Sequence, residues 1–300
     1  MSTHAVHGAR TAQRAVPTML GLRRTLETVK VRCMSNPRLI GVFDSGIGGL
    51  TVVKALCDRL PNETIVYLGD TARVPYGPKS PETVQRYALE LAHMLMQKDA
   101  KALVVACNTV SSVALPLLTR KFFVPVIGVI EPGARAALQA TCNQHVGVIG
   151  TRATIRSGAY EKVLRATDNN VRVSSRACPL LVPLIEEGLL EDDVTDRVIA
   201  RYLEPLLADG IDTLVLGCTH YPLLSTAIAR ALGREITLVD SAANCAIAVQ
   251  EILDRHSLRS PGTDNGELHV ALTDAADNFL NVARHALQLS FGEIELRALP

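Results

Sequence analysis

Two short stretches of the chain combine an apolar run with side chains that carry chemistry. The first, LVVACNT, begins at residue 103 and the second, LVLGCTH, begins at residue 214, so Cys107 and Cys218 lie 111 residues apart. Each pattern predicts a buried parallel strand that delivers a cysteine and two hydrogen-bonding side chains to its carboxyl end. Ligands bind at that end in open α/β sheets. Two copies of this pattern therefore predict one paired site.

Two opposed thiols have two kinds of chemistry available without a metal or a bound cofactor. They form a disulfide, or one removes a proton from a substrate carbon while the other returns a proton on the far face. A free thiol has a pKa of about 8.5 and is mostly protonated at pH 7, so it needs help as a base. His220 is expected to assist Cys218, which lies two residues before it in the sequence. Asp44 ends the first predicted strand, beside the Cys107 strand, and is the expected helper there. The residues alone leave both kinds of chemistry open.

The other cysteines carry no such pattern. The chain has seven cysteines without a CxxC pair, and its eight histidines are scattered. This usage is typical of a reducing cytosol and argues against a disulfide scaffold, a zinc site or a thiol redox motif. We therefore expect a cytoplasmic protein with no metal and no cofactor. Five cysteines are interpreted as small buried core residues: Cys33, Cys57, Cys142, Cys178 and Cys245.

The composition describes an ordinary globular protein and excludes several classes of partner. Of 300 residues, 48% are hydrophobic and 20% charged, and the net charge is +1. This length suits two domains with a sizeable core. The absence of Trp and the low aromatic content argue against a stacking platform for single-stranded nucleic acid. No apolar run approaches the ~18 residues that span a bilayer. We expect neither a nucleic-acid partner nor a membrane.

Residues 1–33 differ from the rest of the chain. They hold six Arg or Lys and one acid, Glu27. We interpret them as a disordered N-terminal extension, with Met34 as the natural start of the folded part. A basic arm that contacts a partner, or a targeting sequence, is the alternative.

Strand and helix patterns alternate along the remainder of the chain. Besides the two cysteine strands, the predicted strands are 39–43, 64–68, 124–129, 145–151, 171–176 and 236–239. The predicted helices are 50–59, 81–98, 110–120, 154–164, 192–208, 222–232, 245–255 and 274–289. The second half repeats the first, with Gly41 and Gly147 in equivalent places 106 residues apart. The pattern predicts an α/β fold of two similar lobes, with mainly parallel sheets and right-handed crossovers.

A glycine-rich turn, DSGIGGLT from Asp44 to Thr51, follows the first predicted strand. It matches neither the dinucleotide-binding fingerprint nor the phosphate-binding lysine loop. Its glycines permit a close backbone approach, and amides at the start of a helix suit an anion, either a phosphate or a carboxylate. Taken alone the turn is a weak functional signal, as is the turn at residues 74–77.

Taken together, these motifs resemble the glutamate racemases of the aspartate/glutamate racemase superfamily. The resemblance covers about residues 38–290 and follows the family order. The motifs that carry it are Asp44 to Thr51, Val74 to Gly77, Ala106 to Thr109, Gly150 to Thr154, Ala177 to Pro179, Val182 to Gly188, and Gly217 to Pro222.

The resemblance implies two lobes related by pseudo-two-fold symmetry, with the active site in the cleft between them. The first lobe would be residues 34–131 with 241–300, and the second residues 132–240. The implied activity is cofactor-independent interconversion of L-glutamate and D-glutamate, which supplies D-glutamate for peptidoglycan and so for cell wall biogenesis and cell shape. A homodimer is implied, and some family members contact DNA gyrase.

The family pattern also assigns roles residue by residue. Cys107 would take the α-proton of D-glutamate and Cys218 that of L-glutamate. Asp44 would assist Cys107, while His220, oriented by Glu186, would assist Cys218. The substrate α-carboxylate and amine would contact Asn108, Thr109 and Thr219. The remaining substrate oxygens would contact Ser45, Tyr76, Gly77, Thr151 and Thr154, partly through backbone amides, and Glu187 would be solvated.

Three alternatives stay open at this point. A sister racemase that acts on aspartate or another acid would share both cysteines. A non-enzymatic role would use the basic N-terminal arm to dock a protein such as DNA gyrase. A thiol redox protein would form a disulfide between the two cysteines.

Overall fold

The protein structure is a computed structural model, and it describes residues 38–233, 235–262, 265–275, 282 and 287–299. The predicted N-terminal extension, 1–33, lies outside these residues, as does most of the predicted helix at 274–289. In the described ranges no helix is both long and apolar enough to cross a bilayer.

Strands and helices alternate through the described chain. The strands are β1 (Ile40–Asp44), β2 (Ile65–Gly69), β3 (Ala102–Val105), β4 (Val126–Gly128), β5 (His145–Gly150), β6 (Arg172–Ala177), β7 (Thr213–Gly217), β8 (Thr237–Asp240), β9 (Leu268–Leu272) and β10 (Ile294–Leu296). The helices are α1 (Leu50–Arg59), α2 (Pro81–Met96), α3 (Asn108–Lys121), α4 (Ile130–Ala140), α5 (Arg152–Ser157), α6 (Ala159–Thr167), α7 (Leu181–Glu186), α8 (Asp193–Ala208), α9 (Ser225–Leu232) and α10 (Ser241–Arg255). Two short 3₁₀ turns, Ile47–Gly49 and Tyr221–Leu224, lead into α1 and α9.

The strands form two sheets, and every pairing between described strands is parallel. The first sheet has the order β10-β9-β2-β1-β3-β4 and the second the order β6-β5-β7-β8. The run β2-β1-β3-β4 of the first sheet therefore follows the same order as the whole second sheet. This confirms the predicted α/β class with two similar parallel-sheet lobes. The lobe boundaries, 34–131 with 241–300 and 132–240, stay a proposal.

Both faces of the first sheet are covered, as expected for a parallel sheet whose crossovers are helices. Side chains of β1 alternate between two apolar clusters, with Ile40 and Val42 in one and Phe43 in the other. Strand β3 alternates in the same way. Strands β1 and β3 therefore read as continuous apolar runs, with polar residues only at or after their carboxyl ends.

Some elements differ from the predictions. The single helix predicted at 154–164 is two helices, α5 and α6, because Gly158 between them adopts a left-handed backbone with φ of 64°. Glycine adopts that conformation without the steric cost that other residues incur. Helix α4 and strands β9 and β10 were not predicted at all.

A buried ion pair lies at the amino ends of β2 and β3, opposite the polar strand ends. Lys101 Nζ is 2.6 Å from Glu63 Oε2, and the two side chains are 0% and 1% exposed. The same carboxylate accepts hydrogen bonds from the backbone N–H and the hydroxyl of Ser260, at 2.8 and 2.9 Å. The pair therefore ties the segment after α10 to the first sheet.

We expect Lys101→Met to lower the free energy of unfolding by about 3–5 kcal/mol, because it leaves the Glu63 carboxylate buried without its cation. Turnover of the folded variant should be unchanged, since the pair lies at the far end of the sheet from the candidate site. Urea unfolding of the full chain measures the loss. The matched control is Lys54→Met, which removes a lysine from an exposed pair with Asp58. An equal loss in the two variants would contradict the prediction.

Candidate active site

The polar ends of both sheets meet at one cavity of about 140 Å³ between them. Pockets for drug-sized ligands begin near ~300 Å³, so this volume suits a small metabolite. Cys107 and Cys218 both line it and are 4% and 5% exposed. The other predicted site residues that line it are Ser45, Tyr76, Gly77, Asn108, Thr109, Thr151, Thr219 and His220. Asp44, Thr154 and Glu186 lie behind these lining residues and contact them, as described below.

Cys218 follows β7 and lies beside an imidazole. Its sulfur is 3.8 Å from Nδ1 of His220, whose Nε2 is 3.3 Å from Oε1 of Glu186. Burial alone would lower the pKa of His220, but the Cys218 sulfur and the Glu186 carboxylate outweigh it and raise that pKa to about 10. The ring therefore carries a proton at neutral pH. A neighbouring imidazolium favours the thiolate form of a cysteine, which is the form that accepts a proton.

Titration of the full chain by NMR tests this arrangement. His220 is expected to keep its ring proton until about pH 10, whereas an unperturbed histidine titrates near ~6.5. Glu186→Gln should lower the pKa of His220, because it removes a carboxylate that stabilises the imidazolium. Glu187→Gln is the matched control, since Glu187 is exposed next to Glu186. A His220 ring that titrates near ~6.5 in the unmodified protein would contradict the arrangement.

Cys107 lies between β3 and α3 and has different neighbours. Its thiol donates to the Ser45 hydroxyl at 3.8 Å, and burial followed by the charge of Asp44 raises its pKa well above the usual range. Burial also raises the pKa of Asp44. The Asp44 oxygen Oδ1 is buried with no hydrogen-bond partner in the described part of the chain. Cys107 is thus held as the neutral thiol, next to a carboxylate that is able to accept a proton.

The two cysteines therefore have different neighbours across one cavity. Cys218, beside an imidazolium, is disposed to act as a base, and Cys107, beside a carboxylate, is disposed to act as an acid. Neither of the two cysteines forms a disulfide in the structure. No cluster of three or more His, Cys, Asp or Glu side chains suitable for a metal occurs in the described residues.

The glycine-rich turn has two structural tasks. The backbone N–H groups of Gly46 and Gly49 donate to Asp44 Oδ2 at 3.3 and 2.8 Å. The anion that these amides hold is therefore the carboxylate of the protein itself. Gly48 lies against the second lobe: a Cβ there would be 2.6 Å from the Thr219 hydroxyl and closer still to His220 Nδ1. This approach explains why the turn requires glycine.

A hydroxyl cluster crosses the gap between the sheets. Thr109 Oγ1 lies 2.9 Å from Thr151 Oγ1 and 3.4 Å from Thr154 Oγ1, and the latter two are 3.0 Å apart. These three threonines were predicted to contact substrate oxygens, and the structure brings them together. Thr109 lies in α3, after β3 of the first sheet, whereas Thr151 and Thr154 follow β5 of the second sheet.

Asn108 is oriented by a residue that sequence reasoning missed. The Tyr160 hydroxyl donates to Asn108 Oδ1 at 2.7 Å, which fixes the direction of the amide. Asn108 Nδ2 is buried and has no partner in the described chain. It is thus a fixed donor next to Cys107, suited to a substrate carboxylate. No local sequence signal distinguishes Tyr160 from an ordinary core residue.

Two further lining residues have environments that the sequence did not indicate. Cys178, interpreted as an ordinary core cysteine, is buried and lines the cavity. Burial raises its pKa to about 12, so it remains a neutral, apolar wall. Tyr76, predicted to contact substrate oxygens, lines the cavity, and its hydroxyl donates to the carboxylate of Asp70. The contact with substrate stays a prediction.

Comparison with known proteins supports the same chemistry as the geometry of the site. Residues 49–250 match the Asp/Glu/Hydantoin racemase family. The chain belongs to that family. This confirms the resemblance predicted from the motifs, and it makes the protein a member of a family of isomerases.

Individual relatives agree with the family assignment. The chain is 50% identical over 257 residues to a glutamate racemase of Geobacter metallireducens, covering 86% of this chain and 95% of the relative. A glutamate racemase structure from Bacillus anthracis superposes with a TM-score of 0.85 at 41% identity, covering 88% and 99%. One from Francisella tularensis, in complex with D-glutamate, superposes with a TM-score of 0.82 at 38% identity, covering 88% and 98%. These likenesses support the two-lobed racemase fold of the chain.

Proposed function

We propose that the protein interconverts L-glutamate and D-glutamate through two cysteines and without a cofactor, and that it supplies D-glutamate for peptidoglycan. The observation that carries the proposal is the pair of cysteines on one small cavity, each with its own proton partner. Cys107 has Asp44, and Cys218 has His220. The glutamate racemases that match nearly their whole length to this chain support the choice of substrate.

In the direction from L to D, the Cys218 thiolate takes the α-proton of L-glutamate and becomes a thiol. The electron pair stays on the α-carbon, and the Cys107 thiol donates its proton to the opposite face, which yields D-glutamate and a Cys107 thiolate. Proton exchange through His220 and Asp44 then returns the two sulfurs to their starting forms. The reverse direction uses the same groups with their roles exchanged.

The remaining cavity groups stabilise the carbanion. Asn108 Nδ2 and the hydroxyls of Thr109 and Thr219 are donors to the α-carboxylate, over which the negative charge spreads as the proton leaves. Ser45, Gly77 and Thr151 line the cavity and hold the side-chain carboxylate, and Thr154 lies behind them and bonds to Thr151. The cavity lies between the two lobes and excludes most water, which strengthens these hydrogen bonds.

Turnover in deuterium oxide tests the activity. Starting from either pure enantiomer, label at Cα should appear mainly in the newly formed enantiomer, because each face has its own acid. Equal label in recovered substrate and product would instead indicate one shared base. The ratio of kcat/KM for glutamate and aspartate should favour glutamate; a preference for aspartate would identify a sister racemase.

The expected location in the cell and the expected protein partners are part of the same proposal. We propose that the enzyme acts in the cytoplasm as a homodimer. A contact with DNA gyrase, implied by the family resemblance, remains a hypothesis that deletion of residues 1–33 would test, with binding and turnover measured separately.

A further inference from the structure

We propose that Asp70 is a positioning residue that holds the wall formed by Tyr76 and Gly77, and so sets the affinity of the cavity for glutamate. This inference rests on the proposed function. Asp70 does not line the cavity, and no motif in the sequence singled it out. Its side chain acts through the segment between β2 and α2, here called the wall segment and defined as residues 70–80.

Asp70 directly follows β2, next to the end of β1. It is 0% exposed, and its backbone N–H donates to the Asp44 carbonyl at 3.0 Å. The two residues are thus backbone neighbours at the carboxyl edge of the first sheet, and both side chains are buried. Asp44 lies beside Cys107, whereas the Asp70 side chain bonds to parts of its own segment and to the chain after β9.

Three side chains donate to the Asp70 carboxylate. The Tyr76 hydroxyl and Arg73 Nε, the latter at 2.7 Å, donate to Oδ2. The Thr273 hydroxyl donates to Oδ1 at 2.9 Å. Both carboxylate oxygens therefore accept hydrogen bonds. The Asp70 side chain thus links the lining residue Tyr76 to Arg73, which is the counter-ion of Asp70, and to Thr273, about 200 positions away in the sequence.

The counter-ion is itself fixed. Arg73 forms a second ion pair with Glu90 of α2, and its guanidinium lies 3.9 Å from the ring centroid of Tyr87. The Tyr87 ring is also 5.5 Å from the ring of Tyr76. Because Arg73 cannot follow a displaced carboxylate, Asp70 has one favourable position, and that position determines where the Tyr76 hydroxyl lies.

The ends of the wall segment are pinned as well. The Thr71 hydroxyl donates to the Asp274 carbonyl at 2.5 Å, and the Ser80 hydroxyl accepts from the Thr83 N–H at 3.3 Å to cap α2. Between these ends, the Asp70–Tyr76 bond attaches the lining residue Tyr76 to the edge of the sheet. A Cβ on Gly77 would be 3.1 Å from Thr151, so a shift of the wall segment reaches the hydroxyl cluster of the opposite lobe.

Asp70→Asn isolates this role. The amide has one acceptor oxygen where the carboxylate has two, so at least one of the buried donors loses its acceptor. A buried donor without an acceptor costs free energy. We expect the wall segment to move to relieve that cost. Displacements of about 1 Å in substrate-positioning groups reduce rates by up to ~100-fold. We expect KM for both glutamate enantiomers to rise about 10-fold, with a smaller change in kcat because Asp70 touches neither cysteine.

Asp212→Asn is the matched control. Asp212 also accepts several hydrogen bonds, from the Thr141 hydroxyl and the Cys142 and Asn143 amides at 2.6–2.7 Å. It precedes β7, at the opposite end of the strand from Cys218. Both variants should lower Tm, but only Asp70→Asn should raise KM. Thr273→Val, which removes one of the three donors, is the milder variant if Asp70→Asn does not fold.

Hydrogen–deuterium exchange of the full-length protein separates this inference from the proposed function. Asp70→Asn should speed amide exchange in the wall segment, and Asp212→Asn should not. An unchanged KM with unchanged exchange overturns the inference, as does an equal rise of KM in the control. Absence of glutamate turnover in the unmodified protein would overturn the proposed function instead, and the exchange result would still decide the role of Asp70.

Discussion

Cys107→Ser and Cys218→Ser are each expected to lower kcat for glutamate racemisation by about 1,000-fold, within the range typical of losing a positioned acid or base. An alcohol is a far weaker acid than a thiol, so serine neither removes the α-proton nor returns it at a useful rate. Chiral chromatography of both enantiomers measures the loss. Each single change should slow net conversion in both directions, because in the proposed mechanism every turnover uses one cysteine on each face.

Hydrogen exchange at the substrate Cα distinguishes the two variants. Cys107→Ser retains the base for L-glutamate and should still exchange the α-hydrogen of L-glutamate with deuterium oxide, while forming little D-glutamate. Cys218→Ser should show the mirror-image behaviour with D-glutamate. Cys142→Ser is the control, since Cys142 is an exposed cysteine away from the cavity. Racemisation by the doubly substituted protein would refute the two-base mechanism.

Gly48→Ala is expected to lower kcat by about 100-fold, the scale of a misplaced catalytic group. The added methyl group would occupy space now held by His220 Nδ1 and the Thr219 hydroxyl. The imidazole must move, which separates it from the Cys218 sulfur or from Glu186. The loss should therefore be greater for the step in which Cys218 is the base.

The matched control is Gly292→Ala, because a Cβ at Gly292 meets nothing within 4 Å. Full activity in Gly48→Ala would show that the turn does not hold His220 in place. A Tm decrease with unchanged kcat would assign the close approach to packing rather than to catalysis. Kinetics and thermal unfolding on the same preparations decide between these outcomes.

The sequence predicted elements well where local pattern decides structure. The first strand was expected at 39–43 and is Ile40–Asp44, because an apolar run with a turn after it has few alternatives. Helix α4 was not predicted, and its sequence contains Pro132 and Gly133, a pair typical of turns. Proline is tolerated in the first turn of a helix, and Gly133 is where α4 lies close to Ser241 of α10. Strand β9 was missed because it pairs with β2, about 200 residues earlier.

The same distinction applies to the candidate site. Cys107 and Cys218 were found from their strands alone, and the family resemblance supplied Glu186. Tyr160 was missed because its partner, Asn108, is 52 residues away in the sequence. Asp70 was missed for a similar reason, since the bond to Thr273 spans 203 residues. Side chains whose importance depends on a distant partner leave no local pattern to detect.

The hydroxyl cluster has a consequence for selectivity. Thr109, Thr151 and Thr154 already form hydrogen bonds with one another across the lobes. A ligand that binds to them therefore gains only the free-energy difference between the hydrogen bonds it forms and those it replaces. A carboxylate provides several strong acceptor sites and repays the exchange. In the proposed function, an amino acid with an apolar side chain would offer Thr151 and Thr154 no acceptor in exchange for the bonds it displaces. If the proposed function holds, the cluster would therefore favour glutamate over amino acids with apolar side chains, because only glutamate brings a second carboxylate to replace those bonds.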